Sequence, residues 1–110
     1  MDNDLNLLQE TLDVLQKNGK TEKDVIWCQN EQGWFTWEEF KKAADFVYDS
    51  GFGFVVIEES LKIVGKHFWL ERHEYDGSEW WEFKCQPTKP EKKVEGKIKL
   101  KVLEKYDDEA

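Results

Sequence analysis

Two carboxylates and one imidazole lie close together in the second half of the sequence. If the chain reverses at Asp76-Gly77, Glu71 faces Glu82 across two strands, and His73 lies two residues along on the same side. Carboxylates and imidazoles act as general acids and bases and as metal ligands. One hypothesis is therefore a small metal-dependent or hydrolytic enzyme that uses Glu71, His73 and Glu82.

The alternative for these three residues is a solvated charge cluster. Carboxylates that face each other across a ladder repel, but water or a neighbouring lysine (Lys66, Lys84 or a C-terminal lysine) relieves the repulsion. We favour this interpretation because a metal site needs fixed ligands with supporting hydrogen bonds. The sequence also contains no Gly-x-Ser-x-Gly, His-Glu-x-x-His, phosphate-binding loop or paired Cys-x-x-Cys motif. We expect no enzymatic activity, no cofactor and no bound metal.

The tryptophans support a second hypothesis, a protein-binding surface. The chain has six tryptophans, and the expected strand register sends Trp69 and Trp80 to the side opposite Trp81. Partly exposed Trp and Tyr beside charged groups are typical of interface hot spots. A helix or the C-terminal strand covering these rings is an equally good interpretation. The residues predicted to contact a partner are Trp69, Glu71, His73, Glu74, Tyr75, Asp76, Glu79, Trp80 and Glu82.

A β-hairpin is the clearest local prediction. Residues 67–75 and 78–86 flank Asp76-Gly77, a dipeptide suited to a type I′ turn, in which both central residues need positive φ. Tyr75 then pairs with Ser78. The predicted core face carries Phe68, Leu70, Arg72, Trp81, Phe83 and Cys85, and the opposite face carries Trp69, Glu71, His73, Tyr75, Trp80, Glu82 and Lys84.

Two helices are predicted in the first half. Leucines recur at three- and four-residue steps from Leu5 to Leu15, which predicts a helix over about 3–18, capped by Asn3 or Asp2. Thr36 and Glu39 have the spacing of a capping box. The second helix is expected to begin there and to run to about Tyr48.

Further strands complete the expected fold. Strand-like residues occupy 24–29, 54–57 and 61–64, and alternation from Val94 to Val102 predicts a half-buried strand with a lysine-rich outer face. Helices early and strands late indicate an α+β fold, with two helices packed on one face of a four- to five-stranded, mainly antiparallel sheet. We expect one domain over residues 1–105 and an acidic tail over 106–110.

The charge is unevenly distributed. The net charge is −8. Through Phe83 the chain has 18 acids and 8 bases, net −10, whereas Lys84–Lys105 has 8 bases and 3 acids, net +5. An acidic body disfavours direct binding to DNA or RNA and favours basic protein partners. No stretch is apolar enough for a membrane helix and no secretory signal precedes the first helix, so the cytoplasm is the expected location. Cys28 and Cys85 are expected to be reduced thiols.

Several joined segments resemble small uncharacterised proteins of bacteriophages and prophages of Gram-positive bacteria. The segments include Trp37-Glu-Glu-Phe40, the stretch Tyr48–Gly53 and, as the most specific element, LERHEYDGSEWWEF, and the resemblance covers residues 10 to 88. That group has no assigned activity and transfers no catalytic residues. Phage accessory proteins of this size often disable host enzymes or defence systems.

The leading hypothesis is therefore a non-enzymatic phage-type binding protein in the bacterial cytoplasm. The partner of this protein would be a host protein with a basic surface. The most specific form of the hypothesis is an anti-CRISPR or anti-restriction inhibitor. Trp69, Tyr75 and Trp80 would anchor the contact, and the hairpin carboxylates would pair with basic residues. The alternatives are the enzyme described above and a structural or assembly component of the virion. The oligomeric state is left open.

Overall fold

A computed structural model of the chain describes residues 3–102. The two helices are α1 (Leu7–Lys17) and α2 (Trp37–Ala44), and a short 3-10 helix covers Glu22–Asp24. The strands are β1 (Asp4–Asn6), β2 (Val25–Asn30), β3 (Gly33–Phe35), β4 (Val47–Asp49), β5 (Lys62–Gly65), β6 (Phe68–Tyr75) and β7 (Ser78–Cys85).

The strands form a five-stranded antiparallel sheet in the order β3-β2-β5-β6-β7 and a two-stranded sheet of β1 and β4. Both helices pack against the same face of the larger sheet, α1 against β7 and α2 against β2. This arrangement confirms the predicted α+β fold.

The core lies between the helices and the inner face of the sheet. Leu15 and Phe40 of the two helices meet Cys28, Ile63 and Leu70, which lie side by side on neighbouring strands. Residues alternate between buried and partly exposed along β5 and β6, as expected when one face is covered and the other is not.

The hairpin has the predicted register and turn. Tyr75 pairs with Ser78 and Phe68 with Cys85. Asp76 has φ of 51° and Gly77 has φ of 86°, which fits the type I′ geometry. The predicted division of the two faces is therefore correct, with Trp81 buried and Trp80 half-buried on the opposite side.

The first helix is shorter than the predicted 3–18, because residues 4–6 pair with β4 instead of continuing the helix. Asn6 replaces Asn3 or Asp2 as the N-cap, and its side-chain oxygen accepts a hydrogen bond from the Gln9 amide at 2.9 Å.

The second helix begins at the predicted capping box. Thr36 and Glu39 exchange both expected hydrogen bonds, at 2.9 and 3.0 Å. The predicted end near Tyr48 is wrong, since the helix stops at Ala44 and Val47–Asp49 becomes a strand. Pairing with β1 and burial of the Tyr48 ring explain the change, and neither is visible in the local pattern.

The other strand predictions have mixed outcomes. The segment 24–29 forms β2 and 61–64 forms β5, each shifted by one residue, whereas β3 was not predicted. The segment 54–57 is not a strand, because the Val56 and Ile57 amides donate to the Glu79 carboxylate rather than to a neighbouring strand.

The C-terminal segment differs most from expectation. Residues 94–102 form no strand, and all of them are exposed. Their alternating pattern therefore has no partner within the described residues. The predicted domain limit at residue 105 and the acidic tail over 106–110 lie outside the described residues. Within the described range, no helix is long and apolar enough to cross a membrane.

Candidate protein-binding surface

The outer face of the sheet, opposite the helices, repeats one short pattern on three strands. The indole N–H of each tryptophan donates to the acceptor side chain two residues further along the same strand. The pairs are Trp27 to Gln29 at 2.8 Å, Trp69 to Glu71 at 2.7 Å and Trp80 to Glu82 at 3.2 Å. Residues i and i+2 of a strand lie on one face, so this spacing fixes each ring along its own strand.

Cross-strand pairing brings these side chains into rows. Trp27, Val64, Trp69 and Lys84 are consecutive partners across β2, β5, β6 and β7. The next row is Trp34, Gln29, Lys62, Glu71 and Glu82. We define the outer face by these two rows together with His73 and Trp80.

The two opposed carboxylates are held by neighbouring donors. His73 Nε2 lies 2.8 Å from Glu71 Oε2 and 3.5 Å from Glu82 Oε1. Lys84 Nζ lies 3.2 Å from Glu82 Oε1. The imidazole, the lysine and the indole N–H groups relieve the like-charge repulsion, as the solvated interpretation of the sequence expected for Lys84.

These contacts keep both carboxylates ionised. Hydrogen bonds from the Trp69 indole and His73 lower the pKa of Glu71 below 4.5. Hydrogen bonds from the Trp80 indole and Lys84 lower the pKa of Glu82 in the same direction. The outer face therefore carries two fixed negative charges near neutral pH.

The carboxylate cluster does not have the form of a metal centre. Throughout residues 3–102, no group of three or more His, Cys, Asp or Glu side chains is arranged to hold a metal ion. The oxygens of Glu71 and Glu82 already have N–H or ammonium partners. The cluster is better described as part of a polar network between aromatic rings.

The outer face is open to solvent. Trp27, Trp69 and Trp80 are half-buried, and Trp34 is 71% exposed. Both helices cover the opposite side of the sheet, and residues 94–102 form no strand over the rings. The half-buried state of the rings therefore comes from packing within the face.

The structure separates the predicted contact residues into three groups. Five of them come together on the outer face, namely Trp69, Glu71, His73, Trp80 and Glu82. Glu74, Tyr75 and Asp76 lie exposed at the hairpin turn. Glu79 was wrongly expected at the surface: it is 5% exposed, because its position in β7 points toward the core.

Glu79 belongs to a buried ionic network that the sequence analysis missed. Arg72 lies between Glu79 and Glu10, at 3.1 and 3.4 Å, and donates to the Tyr48 hydroxyl at 2.9 Å. Its guanidinium carbon is 4.8 Å from the centre of the Trp81 ring. An arginine placed on a predicted core face was the available signal, since a buried charge needs partners.

The Glu79 carboxylate also fixes an apolar loop. It accepts from the Val56 amide at 2.6 Å and from the Ile57 amide at 3.0 Å. The loop before them exposes large apolar side chains, of which Phe54 is 73% and Phe52 58% exposed. This loop and the neighbouring groove of about 540 Å³ beside α2 form a second apolar surface.

Trp27 and Trp34 are outer-face residues that sequence reasoning did not select. The signal for Trp27 was present, because Trp27-Cys-Gln29 has the same indole-to-acceptor spacing as Trp69-Leu-Glu71. Trp34 has no comparable pattern, and only the pairing of β3 with β2 places it beside Gln29.

Comparison with protein-family models, with curated proteins and with solved structures finds no match to this chain.

Proposed function

We propose that this chain is a non-enzymatic protein-binding module that engages a basic protein surface through the outer face of its sheet. One observation carries the proposal. Strands β2, β6 and β7 of one sheet present indole rings whose only polar hydrogen is already bonded within the face, at 2.8, 2.7 and 3.2 Å. A protein core does not require this arrangement on its solvent side.

The internal hydrogen bonds favour binding in two ways. They fix the rings before contact, so less side-chain entropy is lost when a partner orders them. They also satisfy the indole N–H groups, so the partner need not supply acceptors in order to cover the rings. Large rigid aromatic side chains with these properties dominate binding energy at protein interfaces.

The chemistry of the face favours arginine on the partner. A guanidinium stacks on an indole ring and at the same time pairs with a carboxylate. Trp69 lies beside Glu71, and Trp80 lies beside Glu82, so each pair offers one ring and one carboxylate to the same guanidinium. Within the chain itself, Arg72 lies over the Trp81 ring and pairs with Glu79 in the same manner.

Attraction over longer distances comes from the whole body rather than from the outer face alone. Lys62 lies in the same row as Glu71 and Glu82, and Lys84 in the neighbouring row pairs with Glu82, so the local charge is nearly balanced. The chain through Phe83 nevertheless has net charge −10, and exposed Glu74 and Asp76 at the turn add to the field.

In its most specific form, the proposal is that the chain is an inhibitor of the anti-CRISPR or anti-restriction type. Its target would be a host enzyme that handles nucleic acid. Such enzymes have basic clefts that an acidic protein can occupy. The resemblance to phage proteins and the acidic body support this form.

The test compares two variants of the full chain. Trp69→Ser with Trp80→Ser removes two rings from the outer face, whereas Val47→Ser removes an exposed apolar side chain from β4 as the matched control. Each is used to capture proteins from a nuclease-treated Gram-positive lysate, with mass spectrometry as the readout. We expect a defined protein bound by the wild type and by Val47→Ser and lost with the double variant. Equal capture by all three chains would contradict the proposal.

The inhibitor form has its own test. The chain is expressed in bacteria that carry an active CRISPR or restriction system, and the plating efficiency of a targeted phage is measured. The wild type and Val47→Ser should raise plating, and the double variant should not. No rise with the wild type against any system tested would reject the inhibitor form, while the capture result would still decide the binding function.

A further inference from the structure

Strand β7 is the long open edge of the sheet. It pairs with β6 along all eight residues, and no described strand lies on its other side. Alternate residues of an antiparallel strand direct their N–H and C=O groups to opposite sides. The backbone N–H of Gln86 donates to the His67 carbonyl on the β6 side. The backbone N–H of Glu79 points to the other side and donates to the Ser50 carbonyl at 2.9 Å. Trp81, Phe83 and Cys85 share the outward parity of Glu79, so their backbone groups face the open edge.

Residues 94–102 have the composition of a strand without a partner. Val94, Ile98, Leu100 and Val102 alternate with charged residues, and their side chains are 57%, 56%, 83% and 87% exposed. Alternation of this kind suits a strand with one covered face. A run of exposed large apolar side chains also marks a segment that gains free energy when another surface covers it.

The segment is long enough for the free part of the edge and matches it in side and charge. The segment has nine residues, and six residues of β7 follow Glu79, whose N–H is already bonded to Ser50. When its apolar side chains continue the inner side of the sheet, they meet Phe83, which is only half-buried. Lys97, Lys99 and Lys101 then lie on the outer side, next to Trp80 and Glu82 of β7.

We infer that residues 94–102 add as a β-strand to the β7 edge of a second copy of this chain. The addition supplies the missing backbone partners, as in other cases of strand addition to an open sheet edge. It also places a basic segment against a body with net charge −10.

A second copy is favoured over closure within one chain. Pro87 and Pro90 follow β7 at the spacing of an extended proline-rich linker, which resists a sharp return along the same edge. In the structure, every residue from 87 to 102 is exposed although its own β7 edge is open. Two copies that exchange their segments occupy both edges, so the assembly closes as a dimer.

This inference does not depend on the proposed binding function. Strand addition uses backbone groups along the edge of β7, whereas the proposed partner surface consists of outer-face side chains of β2, β3, β5, β6 and β7.

The first test measures the mass of the full chain by light scattering over a range of concentrations. Leu100→Pro removes a backbone donor within the exposed segment, and Glu91→Pro is the matched control outside it. We expect the wild type and Glu91→Pro to have the mass of two chains, and Leu100→Pro to have the mass of one. A single-chain mass for the wild type at every concentration would overturn the inference, and so would a dimer that Leu100→Pro leaves intact.

The second test distinguishes exchange between chains from closure within one. Cys85 is exposed on β7. A chain with Cys85→Ser and either Val94→Cys or Val102→Cys is mixed with a differently tagged chain that keeps Cys85, and the mixture is oxidised. We expect a disulfide between the two tagged species from one of the two end positions. A second experiment uses one chain that keeps Cys85 and carries Val94→Cys or Val102→Cys. If its disulfide forms only within a single chain, the inference is overturned.

Discussion

The Arg72 guanidinium lies 3.1 Å from the Glu79 carboxylate in the interior, where the two side chains are 2% and 3% exposed. Their positions on neighbouring strands place both on the core side of the hairpin. Because Glu79 also accepts from the Val56 and Ile57 amides, this ion pair links the hairpin to the loop that precedes β5.

Removing Glu79 is therefore expected to destabilise the fold strongly. Glu79→Ala leaves the Arg72 charge buried with fewer partners, and breaking a buried pair in this way costs about 3–5 kcal/mol. Glu74→Ala is the matched control, because Glu74 faces Glu79 across the ladder and is exposed. Urea denaturation measures both. Equal free energies of unfolding for the two variants would show that the ion pair contributes little.

Replacing Trp80 and replacing Trp81 are expected to change the free energy of unfolding by different amounts. Trp81 is 5% exposed, and its N–H donates to the Thr11 hydroxyl at 2.9 Å. Trp81→Ala should cost about 3–5 kcal/mol, the range for truncating a buried large aromatic residue. Trp80→Ala should cost less than half as much, since that ring is only partly buried. Thermal or urea unfolding separates the two cases, and similar losses would mean that both rings lie in the core.

The outer-face carboxylates are expected to make the free energy of unfolding fall at acid pH. The pKa of Glu71 is below 4.5 in the folded chain, chiefly because the Trp69 indole donates to it. Above 4.5 this contribution to the free energy of unfolding is fully present, and it is lost as pH falls through the lowered folded pKa, because the unfolded state binds its proton first.

Glu71→Gln should therefore reduce the fall in stability between about pH 5 and the lowered pKa. Trp69→Phe keeps a ring but removes the N–H donor, and it should reduce the same fall in part. The measurement is the free energy of unfolding at several pH values. An unchanged slope in both variants would show that the indole contact does not stabilise the ionised form.

The two cysteines are expected to differ in reactivity. Cys28 is fully buried, and burial raises its pKa to about 12, whereas Cys85 is exposed. The thiolate is the reactive form, so a thiol reagent near pH 8 should modify only Cys85 in the folded protein. Both thiols should react in denaturant. Cys85→Ser should abolish the fast reaction, and fast labelling of that variant would show that the Cys28 site opens readily.

Local sequence patterns were sufficient to predict the parts of the fold that depend on neighbouring residues. Asp76-Gly77 predicted the turn and hence the register, because only a few residues tolerate positive φ at both central positions. Thr36 and Glu39 predicted the start of α2 for a similar reason, since capping is completed within four residues. From the register alone, Trp80 and Trp81 were assigned to opposite faces.

Tertiary structure decided what depends on distant partners. Val47–Asp49 became a strand because residues 4–6 pair with it, and Glu79 is buried because Arg72 and two loop amides are available to it. The alternation in residues 94–102 predicted a strand, but no strand of the described chain pairs with it. A strand pattern specifies which side of a segment prefers to be covered, whereas its backbone hydrogen bonds require a second segment that the pattern itself does not supply.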